Sequence, residues 1–134
     1  LITDEPEDAV LIKELLDIME KNKLDYTNTF RELMNENITN ENLKDFYSKW
    51  TIRIDKQNRD KQEVLTLMRK NNPVVIPRNH KVEQSLKEAH NGNLVSLNNL
   101  LNALKDPYTE RGDLTLYQQP APDNEKKYKT FCGT

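Results

Sequence analysis

The sequence predicts an all-α fold of five or six helices with an extended C-terminal tail. Two observations carry that expectation. From Glu7 to Asn72 the chain runs 66 residues without a glycine or a proline, so nothing in that stretch forces a turn except capping chemistry. Within it, apolar residues return at steps of three and four, the period of a helix with one buried face. The expected organisation is a helical domain over residues 1–106 and a polar tail with a near-terminal cysteine over 107–134.

The first helix is expected from about Pro6 to Asn22, with Leu11, Leu15, Ile18 and Met19 inward. Proline is tolerated in an opening turn because its missing N–H would be unpaired there anyway, and Asp4, Glu5, Glu7 and Asp8 complement the positive end of the helix dipole. A second helix, about Asp25 to Asn37, places Tyr26, Phe30, Leu33 and Met34 on one face, and Thr29 with Glu32 three residues on reads as a capping box. A third, capped by Thr39 or Asn40, reaches toward Asn72 through Leu43, Phe46, Tyr47, Trp50, Ile54, Leu65 and Met68. Its pattern fails at Gln57, Asn58 and Lys61, where polar residues occupy the seam, so the helix either projects from the domain or breaks in two.

Pro73 and Pro77 bracket a short extended segment, because each proline pushes its predecessor out of helical geometry. Asn79 is expected to cap a helix with Val82, Leu86 and Ala89 inward, ended by Gly92. Asn93 then starts a last helix with Leu97, Leu100, Leu101 and Leu104 inward, stopped by Asp106-Pro107. Beyond it, Pro120, Pro122 and a polar composition predict an extended tail with Tyr108, Tyr117, Tyr128 and Phe131 as anchor points.

Composition excludes several classes. Twenty basic against 22 acidic side chains, a net charge of −2, argue against a broad polyanion-binding surface. Leu, Ile, Val and Phe total 33 of 134 residues, enough for a modest core, while 31% charged residues keep most faces wet. No apolar run approaches the roughly 20 residues of a membrane helix, and no basic-then-apolar leader opens the chain, so the expectation is a cytoplasmic protein without a membrane partner. The first residue is Leu rather than Met, as in a piece of something longer. The single cysteine, Cys132, rules out an internal disulfide and a multi-cysteine metal site in this chain.

No catalytic constellation emerges. Gly92, Gly112 and Gly133 are isolated from one another, whereas a phosphate cradle needs clustered glycines, and the lysine, Asp and Asp-Phe-Gly of a kinase-type site are missing. His80 and His90 are ten residues apart and do not share adjoining turns. Ser48, Ser85 and Ser96 lack a nucleophile-elbow setting. No catalytic, cofactor-binding or metal-binding residue is therefore assigned. Lys49 to Lys70 holds seven basic residues against three acidic ones near Tyr47 and Trp50, which raises a second reading, an autonomous helical module that docks a protein or RNA. Against a nucleic-acid partner, Trp50 lies on the apolar stripe, and Lys49 and Arg53 can snorkel over its edges.

Several stretches together point to one family: DYTNTFREL (Asp25 to Leu33), Trp50 with Arg53, Met68-Arg69 leading into NPVVIPRNH (Asn72 to His80), the helix pair around Gly92, the Leu100 to Tyr108 stretch, and YKTFCGT (Tyr128 to Thr134). In this order they resemble the C-terminal portion of selenoprotein O-like proteins. The resemblance implies a parent with a protein-kinase-like core that transfers AMP from ATP, with Mg or Mn, to Ser, Thr or Tyr hydroxyls of protein substrates. It implies equally that the nucleotide and metal sites lie in that core, upstream of this segment, and that this segment alone is no enzyme. Some relatives carry selenocysteine at the position of Cys132, which makes Cys132 the redox candidate. Arg78, Asn79 and His80 are expected to form a structural clasp, because a guanidinium fork can tie carbonyls or a carboxylate across helices.

Overall fold

The computed structural model describes residues 5–122. Among these there are seven α-helices, two 3-10 turns and no strand. The helices are α1 (Asp8–Lys21), α2 (Tyr26–Asn35), α3 (Lys44–Asp55), α4 (Lys61–Asn71), α5 (Asn79–His90), α6 (Val95–Leu104) and α7 (Thr115–Gln118). They fall into two compact units, one ending at Pro73 and one beginning at Val74.

In the first unit, Leu15 and Met19 of α1, Leu33 of α2, Phe46, Trp50 and Ile54 of α3 and Val64 and Leu65 of α4 share one core, with Leu43 beside them. α2, the 3-10 turn that precedes α3, and α4 each begin where a short polar side chain takes an otherwise unpaired amide. Asp25 accepts from the Asn28 N–H at 2.9 Å, Asn40 from Asn42 at 3.0 Å and Asp60 from Gln62 at 3.0 Å. The Thr29–Glu32 capping box does not form. Thr29 lies a full turn inside α2 and donates to the Asp25 carbonyl, while Glu32 accepts from the Thr39 N–H at 2.9 Å and the Asn40 N–H at 3.1 Å, holding the loop after α2 instead.

The long third helix is broken. Asn40 caps a 3-10 turn, Glu41–Leu43, that leads into α3, and the chain leaves the helix after Asp55. Asn58 takes a left-handed conformation at φ 51°, and Asp60 restarts the helix as α4. The break coincides with the polar residues that interrupt the apolar pattern.

In the second unit, α5 and α6 form an antiparallel hairpin joined at Gly92, whose φ of 85° favours a residue without a Cβ. Asn93 accepts from the Val95 N–H at 3.1 Å, as expected of the residue that starts α6. Two expected inward residues point elsewhere: Leu86 and Leu101 are each 51% exposed, and the buried positions are His80 and Ser85 on α5 and Leu100 and Ala103 on α6. Residues 107–122, the described part of the expected tail, hold a 3-10 turn (Gly112–Leu114) and α7, and Leu114 and Gln118 are buried. One turn of helix forms there because Leu114 has a core to enter.

Candidate functional site

Side-chain chemistry gathers at two places, one in each unit. In the first, Asp8 opens α1 and Arg53 lies in the last turn of α3. The Arg53 Nε donates to Asp8 Oδ1 at 2.6 Å and its Nη2 to Oδ2 at 2.9 Å, with both side chains under a tenth exposed. The guanidinium hydrogen bonds hold the Asp8 carboxyl below its ordinary value of 3.8 against the opposing effect of burial, and Asp8 in turn raises Arg53. Asp8, expected as a dipole-complementing surface acid, is thus a buried partner, and Arg53 is enclosed rather than snorkelling.

Four further cations of the Lys49–Lys70 run meet partners nearer the surface. Lys49 reaches Glu14 at 2.6 Å and Lys56 reaches Glu7 at 3.9 Å. Lys61 pairs with Glu36, and Arg69 Nη2 donates to the Met34 carbonyl at 3.0 Å. The Lys61 contact lowers Glu36 below its ordinary 4.5, while burial and the Glu36 charge raise the Tyr47 hydroxyl, which donates to Glu36. Five of the seven thus meet acids or a carbonyl of their own unit, while the Lys49 and Lys56 side chains stay more than half exposed. Between α1 and α3 a cleft of about 340 Å³ remains, with Val10 (68% exposed) and Ile52 (61%) on its walls and Glu7, Glu14, Lys49 and Lys56 around it.

In the second unit, the segment 74–80 is fastened from within. Val74 and Val75 are each 1% exposed, and the Val74 N–H donates to the Pro107 carbonyl at 2.7 Å. Two sequence motifs, NPVVIPRNH and the Pro107-Tyr108 pair after α6, therefore meet through one backbone hydrogen bond. Arg78 occupies the cap position of α5, one residue earlier than expected, and its carbonyl accepts from Lys81 at 2.9 Å and Val82 at 3.0 Å. Arg78 is half-buried, Asn79 exposed and His80 buried, and both Arg78 and His80 are engaged in polar or electrostatic contacts. Arg111, not singled out in the sequence, extends Nη2 toward the Asn102 and Ala103 carbonyls (3.3 and 3.4 Å) and so closes the end of α6. Glu88 accepts from Ser96 and Gln84, which lowers its carboxyl and ties α5 to α6.

The serines hold local structure. Ser48 donates to the Lys44 carbonyl and Ser85 to that of Lys81, back-bonds within a single helix turn. Among the described residues no three His, Cys, Asp or Glu side chains converge as a metal-ion site. The described glycines, Gly92 and Gly112, stand apart with open space around both. Cys132 lies outside the described residues. No described helix is long and apolar enough to cross a membrane.

No protein-family model matches the chain. Individual relatives do. It is 42% identical over 137 residues to the protein nucleotidyltransferase YdiU of Anoxybacillus flavithermus (strain DSM 21510 / WK1), 44% over 141 residues to that of Pelagibacter ubique (strain HTCC1062) and 40% over 140 residues to that of Clostridium perfringens (strain 13 / Type A). In each case all of this chain is matched, and it spans only 28–29% of the relative's length. The chain is therefore a relative of the YdiU protein nucleotidyltransferases that corresponds to a portion of them, as the order of its motifs indicates.

Proposed function

We propose that the chain is the C-terminal helical module of a protein adenylyltransferase, in which a kinase-like core transfers AMP from ATP, with Mg or Mn, to Ser, Thr or Tyr hydroxyls of cytoplasmic proteins. The module packs against that core and holds up its substrate groove. The observation that carries this reading is the 40–44% identity along the whole chain to a segment of proteins more than three times as long. A physical feature supports it: large apolar side chains remain uncovered, with Val10 and Ile52 in the first unit, and Leu94, Val95 and Leu101 in the second, all more than half exposed, as surfaces that meet further polypeptide would be.

In this reading the Arg78–His80 clasp is structural, and Cys132 is a redox candidate on the resemblance alone. The test is transfer of labelled AMP from ATP to protein by the longer enzyme with and without this segment. The reading expects transfer to fall when the segment is removed and the remaining core to keep its ATP affinity. Loss of ATP binding on removal would place nucleotide contacts in this segment and overturn it.

A further inference from the structure

We propose that the cavity beneath the α3–α4 break is a binding site for a small uncharged molecule with an apolar body and a single hydrogen-bonding end. The cavity measures about 230 Å³ and is walled by Leu33 of α2, Phe46, Trp50 and Ile54 of α3, and Val64 and Met68 of α4. A cavity of about 150 Å³ is enough for benzene, so this one has room for a substituted ring or a short branched chain.

The selectivity follows from the lining. No charged side chain lines the cavity, which sets a high cost on an ionised guest. Its polar side groups are chiefly two amides, that of Gln57 and that of Asn72, whose Nδ2 already donates to the Met68 carbonyl at 2.9 Å. Gln57 is the residue that interrupts the apolar seam, and the break it accompanies turns it into a wall of the cavity rather than out to water. Leu67, also in the lining and 45% exposed, marks the side on which the cavity meets solvent and a ligand can enter.

Trp50 is the only tryptophan and stands in the wall, so binding is read directly from its emission. Cyclohexanol is the probe and cyclohexylammonium its charged counterpart. Cyclohexanol is expected to shift Trp50 emission saturably, with a midpoint in about the millimolar range, and to raise the melting temperature. Gln57→Leu is expected to weaken it roughly three- to tenfold, the worth of one hydrogen bond. Val64→Phe, which fills the space, should abolish the shift while the helical circular dichroism persists. If that variant does not fold, the wild-type comparison decides. A response to cyclohexylammonium equal to that to cyclohexanol, or no saturable response to cyclohexanol, overturns the proposal.

Discussion

Asp8 and Arg53, 45 residues apart in sequence, close a two-pronged ion pair at 2.6 and 2.9 Å that joins the start of α1 to the end of α3. Both side chains are buried, so removing one partner strands the other away from water. Arg53→Met and Asp8→Leu are each expected to lower the melting temperature by several degrees, and the double variant to recover most of that loss. Thermal melts of the three proteins check it, and additive losses would contradict it.

Acid should act through the same carboxylate. Asp8 and Glu36 both titrate below their unfolded values, so their contribution is complete above those values, near 3.8 and 4.5, and is lost as pH falls through the lower folded ones. Urea midpoints should therefore be level from about pH 7 to 5 and drop below about pH 4. Asp8→Asn should flatten that drop while lowering the plateau.

Adjacent leucines on α6 should behave differently. Leu100 is 3% exposed and Leu101 51% exposed, although both belong to the apolar pattern of the sequence. Leu100→Ala is expected to cost about 2–5 kcal/mol by urea unfolding. Leu101→Ala should stay within about 0.5 kcal/mol. Equal losses would mean that α6 is rotated from the orientation described.

At Gly92 the cost of a side chain is conformational only, since a Cβ there meets nothing within 4 Å while φ is +85°. Gly92→Ala should cost about 1–2 kcal/mol, the penalty of a left-handed backbone with a Cβ. A neutral result would show that the α5–α6 turn relaxes to another geometry.

Arg78→Ala should lower the melting temperature, because Arg78 is half-buried at the start of α5 and engaged in polar or electrostatic contacts. An unchanged melt combined with lost AMP transfer in the longer enzyme would assign Arg78 to a ligand instead.

Periodicity makes the helices legible, and the polar interruption at Gln57, Asn58 and Lys61 marks the break between α3 and α4, since a buried seam does not tolerate three polar residues without a reason. What sequence spacing does not reveal is which of several neighbouring leucines is covered: α6 carries Leu97, Leu100, Leu101 and Leu104, and packing buries Leu100 while leaving Leu101 51% exposed. Long-range partners were equally hidden. Asp8 looks like any acid at a helix start, Arg53 like any surface cation, and the link from Val74 to Pro107 runs through backbone atoms that carry no sequence identity. Glu32 has the spacing from Thr29 of a local capping partner, yet the loop after α2 presents unpaired amides that claim it first.

On the proposed function, this chain supports a nucleotide site that lies in the rest of the longer protein. Calorimetric titration of the chain with ATP and magnesium should then show no saturable heat, and a one-to-one isotherm with micromolar affinity would overturn that reading.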